Sequence, residues 1–412
     1  MVFYETFKWL ALFGKISGHF PVQNVLKNDP SLLRYKMFSG ATFYALSIYL
    51  VCCYFQFLHY GCQFTIETRF HQLLETMVYG IILRSFFSFS FCLYYHAKHV
   101  PKVIMLLDSF DKHRNGIVIQ KTSSMFNRVI FDIIIPMALT LSLSGLYFLE
   151  SSQLVRKIYK TKESQEDHIS SAFFGICGIW HTLPPMYFIY FSIKISIGFN
   201  QINQTLVQKQ YCSNYFNNDK QIEPFDKDMG ENISKLRLLH NLLSEATFCL
   251  SRCYGSFMAV NTLFLIVAVV VHISTYVCAT KDTNVLMLVC VDSFNFFVIT
   301  VVASVIKKKA VKVARLFQGI PTSALSEKSR EEIQLWLLQL TVHPIQVNAG
   351  GYFILDKSQS FEVSKVHLFV GLLKVKTIIM YKMSYFLHFS NVTKNKIKRH
   401  LPIFVGLLHI NN

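Results

Sequence analysis

Seven side chains set in the apolar stretches of this sequence have the chemistry to bind a small molecule. Aromatic rings stack on the apolar faces of a ligand, while imidazole, carboxylate, hydroxyl and guanidinium groups form hydrogen bonds with its polar edges. Ligand pockets combine both kinds of side chain in a mostly apolar wall. The candidate ligand-binding residues are Glu75, Tyr79, Arg84, Trp180, His181, His272 and Tyr276.

Each candidate also has a purely structural interpretation. Aromatic residues make up 15% of the chain, so a given ring is more often a packing residue or a membrane-interface residue than a ligand contact. Arg84 is the more central of the two basic residues in the clear apolar stretches. Charges at such positions face a bundle interior or water. Arg84 therefore either binds a ligand or takes part in gating, or it forms a structural pair. The candidate partners for such a pair are Asp132 and Asp292.

Motifs for enzymatic chemistry are absent from the sequence. It contains no Walker A loop, no GxGxxG after a strand, no HExxH and no GxSxG elbow. The 10 cysteines follow neither CxxC nor Cys/His ligand spacing. We therefore expect no enzyme, no cofactor and no metal site.

The composition indicates a membrane protein. Of the 412 residues, 52% are hydrophobic and only 16% are charged, which is unusual for a soluble domain. The net charge of +17 would suggest nucleic acid as a partner of a soluble chain. In a membrane protein, basic cytoplasmic loops explain it. The sequence therefore predicts an all-α polytopic protein whose partner is the lipid bilayer, with no nucleic-acid partner.

Six apolar stretches have the length of about 20 residues that a membrane-spanning helix needs. They lie at residues 37–60, 73–95, 129–149, 172–199, 255–279 and 285–306, and a degenerate seventh lies at 361–388. The segments between them are too short to form a separate domain, although the apolar spacing before residue 255 predicts a helix that continues span five. The sequence thus predicts one transmembrane domain over residues 1–412.

Lysine and arginine counts orient the chain. The N-terminal segment and the alternate loops that share its side hold 24 of these residues, while the opposite loops hold 6. Basic residues accumulate in cytoplasmic loops, so we predict that the N-terminus is cytoplasmic. Seven spans would then place the C-terminus outside, the reverse of a G-protein-coupled receptor. The sequons at Asn203 and Asn232 fall on the cytoplasmic side and should be unmodified.

Four stretches of the chain resemble the insect gustatory receptor family. They are "FPVQNVLKNDPSLLRYKMFSGATFYALSIYL", "WHTLPPMYFIYFSIKISIGFNQINQTL", "LRLLHNLLSEATFCLSRCYGSFMAVNTLFLIV" and "HPIQVNAGGYFILDKS". The last is the most diagnostic and contains Gly350, Gly351, Tyr352, Phe353 and Asp356. The resemblance covers roughly residues 10–358.

The resemblance implies a seven-helix receptor of inverted topology in the plasma membrane of chemosensory neurons. Such a subunit would assemble with copies of itself or with other gustatory receptors as a tetrameric ligand-gated cation channel. A small tastant would enter a pocket on the outer side, and the final helix would line the pore. An odorant-type receptor is the nearest alternative, and a transporter or a G-protein-coupled receptor is a further one.

The sequence departs from the family after Lys357. The expected Thr-Tyr and Gln-Phe pattern is missing, and the region 362–387 carries Glu362, Lys365, Lys374 and other charges that make a clean seventh span costly. Three interpretations compete: a mis-spliced or frame-shifted end, a divergent pore helix with its lysines facing water, and a misplaced alignment. The Gly350-Gly351 pair predicts a turn between a cytoplasmic helix and the pore helix.

Overall fold

The computed structural model describes residues 3–61, 83–114, 117–118, 165–216, 225–275, 283–318 and 326–358. The helices described there are α1 (Phe3–Ile16), α2 (Gly40–Gly61), α3 (Ala97–His113), α4 (Gln165–Phe216), α5 (Phe225–Thr275), α6 (Thr283–Gln318) and α7 (Glu327–Val342). A helical stretch at 83–91 and a π-helical turn at Cys92–His96 lead directly into α3. The described part of the chain is therefore almost entirely helical, as the sequence predicts.

The aromatic side of α1 packs against α4. The ring centroids of Phe7 and Phe191 lie 5.2 Å apart, and the Tyr187 hydroxyl donates to the carbonyl oxygen of Leu10 at 2.9 Å. A Cβ atom at Gly14 would overlap the Tyr187 hydroxyl, so this position requires glycine. The N-terminal segment is consequently part of the main core.

A short antiparallel strand pair links α1 to α2. Strand β1 (Val22–Gln23) pairs with β2 (Arg34–Tyr35), and a 3-10 helix at Pro30–Leu32 lies between them. The Tyr4 hydroxyl of α1 donates to the carbonyl oxygen of Val25 at 2.8 Å. This bond closes the connection back onto α1.

The three longest helices, α4, α5 and α6, have 52, 51 and 36 residues. At 1.5 Å of rise per residue, α4 is about 78 Å long, more than twice the roughly 30 Å of a hydrocarbon core. The predicted helix before span five is confirmed, because α5 runs unbroken from Phe225 to Thr275.

The core lies where α4 packs on α6 and where α5 packs on α3, α6 and α7. Apolar residues from each long helix are fully buried there, among them Phe199, Leu243 and Ile306. Asn203 is also buried, and its side-chain amide donates to the carbonyl oxygen of Lys309 at 2.9 Å. This bond links α4 to α6 inside the core, and the prediction that the sequon is unmodified stays a prediction.

Ser326 precedes helix α7, and its hydroxyl oxygen accepts a hydrogen bond from the Ser329 backbone N–H at 3.3 Å. This is an N-terminal cap of the usual kind. The inner face of α7 buries Ile333 and Trp336. Its outer face has the opposite character, because the apolar side chains of Leu335 and Leu338 are exposed on it.

One described helical stretch, Glu231–Val267 of α5, is long and apolar enough to cross a membrane, and Gly40–Tyr54 of α2 is a shorter apolar helix. A buried core helix of a soluble protein can satisfy the same criteria. The membrane assignment therefore depends on the family to which the chain belongs. Residues 73–82 of the predicted span 73–95, and all of the predicted spans 129–149 and 361–388, lie outside the described residues.

Candidate functional site

The stretch that carries the Gly350-Gly351 pair forms a β-hairpin after α7. Strand β3 (Asn348–Ala349) pairs antiparallel with β4 (Phe353–Ile354). Gly350 and Gly351 have φ angles of 62° and 88°, the left-handed region that glycine adopts without steric cost. Two successive positive φ angles are typical of a type I′ hairpin turn. The predicted turn is present, although no local pattern in the sequence indicates the two strands.

The hairpin is fixed to α5 by backbone contacts. The Ser251 hydroxyl donates to the carbonyl oxygen of Asn348 at 3.1 Å and accepts from the Asn348 backbone N–H at 2.8 Å. A Cβ atom at Gly255 would lie 2.5 Å from the Asn348 carbonyl oxygen and 2.6 Å from the Gly350 nitrogen. Only glycine at position 255 allows the hairpin to approach this closely. The motif residues Tyr352 and Phe353 differ in exposure, since Tyr352 is exposed and Phe353 is partly buried.

An ion pair connects the end of the hairpin to α6. The Lys307 ammonium lies 3.7 Å from a carboxylate oxygen of Asp356, and both side chains are partly exposed. The Leu355 backbone N–H also donates to the carbonyl oxygen of Val347 at 2.8 Å. The chain that leads toward the predicted seventh span is thus attached to both α5 and α6.

A buried histidine lies at the junction of four helices. His240 of α5 has its ring 4.9 Å from Phe199 of α4 and 5.2 Å from Trp336 of α7. Its Nε2 lies 3.3 Å from the carbonyl oxygen of Ala310 in α6. Burial lowers the pKa of His240 from 6.5 to about 4, opposed in part by the Ala310 bond. The imidazole is therefore neutral at physiological pH and donates to Ala310.

Acid should weaken this junction through His240. A group whose folded-state pKa is depressed favours the unfolded state when it binds a proton. The stability is therefore complete above about pH 6.5 and declines as the pH falls towards 4. Between pH 7.5 and pH 5 the decline from this residue is about 2 kcal/mol. Thermal unfolding of the detergent-solubilised protein, followed at both pH values, measures it.

The variant His240→Gln keeps a donor for Ala310 but cannot titrate, so it should lose the part of the pH dependence that His240 contributes. The exposed residue His343 offers a matched control, because His343→Gln makes the same substitution outside the buried junction. An unchanged pH dependence in His240→Gln would contradict the assignment.

Arg84, the central charge of the apolar stretches, contacts α5. Its guanidinium donates to the amide oxygen of Asn261 at 3.1 Å. The pairing suggested from sequence involved Asp132, which lies outside the described residues, or Asp292, whose side chain is not described. The sequence provided no signal for Asn261, because a partner 177 positions away cannot be recognised without the packing of the helices.

The other candidate ligand residues are not brought together in the described structure. Trp180 and His181 belong to α4 and His272 belongs to α5, but only the backbone is described at these three positions. Glu75, Tyr79 and Tyr276 lie outside the described residues. The outer pocket predicted from these residues stays a prediction.

A cavity of about 230 Å³ opens between α5 and α7. Its wall includes the buried His240, and Gln339 donates across it to the amide oxygen of Asn241 at 2.7 Å. By the predicted orientation this cavity lies on the cytoplasmic side. It is therefore distinct from the predicted outer ligand pocket.

The described long helices share one core, and one of them is long and apolar enough to cross a membrane. A family model described as 7tm chemosensory receptor matches residues 8–364. The chain belongs to this insect chemosensory receptor family, and the prediction of a seven-helix chemoreceptor fold is confirmed. The match ends close to the point where the sequence departs from the gustatory pattern.

Two solved structures show the same fold. The insect olfactory receptor OR5 from Machilis hrabei is similar to this chain with a TM-score of 0.63 and 12% sequence identity, over 89% of this chain and 97% of that chain. The same receptor in complex with eugenol gives a TM-score of 0.59 and 11% identity, with the same coverage. No curated protein sequence matches the chain.

Proposed function

We propose that this protein is a gustatory-type receptor, a subunit of a ligand-gated cation channel that senses small tastants at the plasma membrane of chemosensory neurons. The observation that carries the proposal is the family match over residues 8–364. The resemblance of the stretch from His343 to Ser358 to gustatory receptors supports the finer assignment. A ligand that binds the open arrangement of helices better than the closed one would shift the population towards the open channel.

Currents in heterologous cells test the channel mechanism. The full chain, with its C-terminus repaired to the family pattern in a parallel version, would be expressed and challenged with sugars and bitter compounds. We expect cation currents that persist when G-protein signalling is blocked. Currents that vanish under this block would favour a metabotropic receptor, and substrate uptake without such currents would favour a transporter.

An odorant-type receptor is the second candidate, and the fold similarity to an olfactory receptor favours it. That neighbour has been solved with eugenol, a small organic molecule. Responses to volatile compounds that appear only when a co-receptor is expressed with this chain would select this alternative. Responses of the chain alone to sugars or bitter compounds would select the gustatory one.

The cytoplasmic N-terminus separates both candidates from a G-protein-coupled receptor. An epitope tag at the N-terminus should be stained only after the cells are permeabilised. Staining in intact cells would reject the orientation that the basic loops predict.

Comparison of the transcript with the genomic sequence around codon 358 would decide whether the atypical C-terminus is a splicing product.

Subunit association should involve the outer face of α7. Leu335, Leu338 and Val342 are exposed on it at fractions of 48%, 59% and 59%, and their spacing of three and four residues forms a narrow apolar seam like that of a coiled coil. An apolar row on the surface of a helix marks a contact with another protein or with lipid. In the predicted orientation α7 is cytoplasmic, so a second subunit is the occupant that we propose.

The double variant Leu335→Glu/Leu338→Glu should convert the assembly into smaller species without unfolding the subunit, because charges would repel across the seam. Light scattering of the purified receptor measures the mass. A control, Glu331→Gln/Gln334→Glu, changes exposed positions of the same helix while keeping its net charge, and should leave the mass unchanged. If the first variant also keeps the parent mass, α7 is not the contact.

A further inference from the structure

A basic face follows span six on α6. Lys308, Lys312 and Arg315 are exposed and are separated by four and three residues, so they lie on one side of the helix. The opposite side is buried in the core through Ala310, Val313 and other residues. Three cations therefore point away from the bundle within about 10 Å along the helix axis.

These three cations have no carboxylate partner among the described residues. The ion pairs described for the neighbouring helices use other cations: Lys307 pairs with Asp356, and Arg237 pairs with Glu332 at 2.9 Å. Three like charges without a described carboxylate partner on one face repel one another and attract an anion with several negative groups. They would also repel the same face of a second copy, so this face is unsuited to a contact between identical subunits.

The position of the face relative to the bilayer restricts which anion can reach all three cations. Span six is predicted to end at residue 306, and the headgroup region adds about 5–7 Å outside the hydrocarbon. Lys308 then lies at the level of the lipid phosphates. Arg315, about 10 Å further along α6, lies beyond the headgroup of an ordinary phospholipid. A headgroup that reaches all three must project from the bilayer and carry several phosphates.

We propose that this α6 face binds the headgroup of a polyphosphorylated phosphoinositide in the cytoplasmic leaflet. The diester phosphate of the lipid lies beside Lys308, and the ring phosphates lie beside Lys312 and Arg315. Clusters of basic residues directly after a membrane span are suited to such lipids. The face adjoins Lys307, which pairs with Asp356. Because Asp356 leads to the predicted seventh span, a bound headgroup lies next to the ion pair that attaches this segment to α6.

The test measures binding of a fluorescent dioctanoyl phosphatidylinositol 4,5-bisphosphate to the purified full-length receptor by anisotropy. The variant Lys308→Gln/Lys312→Gln/Arg315→Gln should bind about a hundredfold more weakly. The matched control Lys27→Gln/Arg34→Gln/Lys98→Gln removes the same charge from other exposed positions and should bind as the parent does. Equal binding by all three proteins would overturn the proposal.

Competition identifies the source of the phosphates. Unlabelled dioctanoyl phosphatidylinositol 4,5-bisphosphate should displace the probe at least tenfold better than dioctanoyl phosphatidylserine or inositol trisphosphate. Equal displacement by phosphatidylserine would mean that the face attracts negative charge nonspecifically. Equal displacement by inositol trisphosphate would mean that the ligand is soluble. Either result overturns the proposal.

Milder variants keep the test decisive should the triple variant be unstable. Lys312→Gln alone should weaken binding about fivefold, whereas Lys308→Arg/Lys312→Arg keeps the charges and should preserve it. Parent-like affinity in Lys312→Gln, or loss of binding in the arginine variant, would contradict the proposal.

Discussion

Replacing Gly255 with alanine should detach the β3–β4 hairpin from α5 and destabilise the protein by about 3 kcal/mol. The added Cβ would lie 2.5 Å from the Asn348 carbonyl oxygen and 2.6 Å from the Gly350 nitrogen. Overpacking a close contact typically costs about 1–3 kcal/mol. We expect the upper end because both atoms belong to the backbone and cannot turn aside as a side chain can. Thermal unfolding monitored by gel filtration in detergent measures the loss.

Two further variants make this prediction specific. The Ser251→Ala variant removes both hydrogen bonds to Asn348 without a clash, so it should cost less, about 1–3 kcal/mol for the two bonds. A Cβ atom added at Gly40 of α2 would meet nothing within 4 Å among the described residues, and Gly40→Ala should stay within about 0.5 kcal/mol of the parent. A parent-like unfolding temperature in Gly255→Ala would show that the hairpin does not need this contact.

The apolar parts of the long helices can be predicted from the sequence because their length and spacing can be recognised locally. The continuation of α4 to Phe216 and of α6 to Gln318 goes beyond the predicted spans 172–199 and 285–306. The turn at Gly350 and Gly351 can be predicted too, since two adjacent glycines disfavour a continuous helix. The site on α5 where that turn docks cannot be predicted from the sequence. Ser251 and Gly255 are ordinary residues of an apolar helix until a strand almost 100 positions later packs on them, and no local pattern records that contact.

The N-terminal helix shows the same limit. The stretch that contains Phe7 and Gly14 is apolar but interrupted by charges, and its sequence assigns no partner to it. Its contact with Tyr187 depends on the order in which helices pack, which a single sequence does not contain. For the same reason the sequence does not indicate Asn261 as a partner of Arg84.

The junction around Trp336, where α5, α6 and α7 meet, should be especially sensitive to substitution. The indole is fully buried and meets His240 and Phe317 at ring distances of 5.2 and 5.0 Å. It thereby connects α7 with both α5 and α6. Because α7 leads into the hairpin, loss of this contact would also loosen the approach to the predicted pore helix.

The Trp336→Ala variant should therefore lower the free energy of unfolding by about 3–5 kcal/mol, the usual cost of removing a large buried aromatic side chain. Part of this cost is the cavity left beside His240, so Trp336→Phe, which fills most of that space, should recover more than half of it. Leu338 lies on the exposed side of the same helix, and Leu338→Ala tests whether α7 responds to any truncation. We expect Leu338→Ala to weaken subunit association while leaving the unfolding of the subunit nearly unchanged. Equal destabilisation by Trp336→Ala and Leu338→Ala would mean that α7 is held by its outer face, and that the buried junction is not what couples it to α5 and α6.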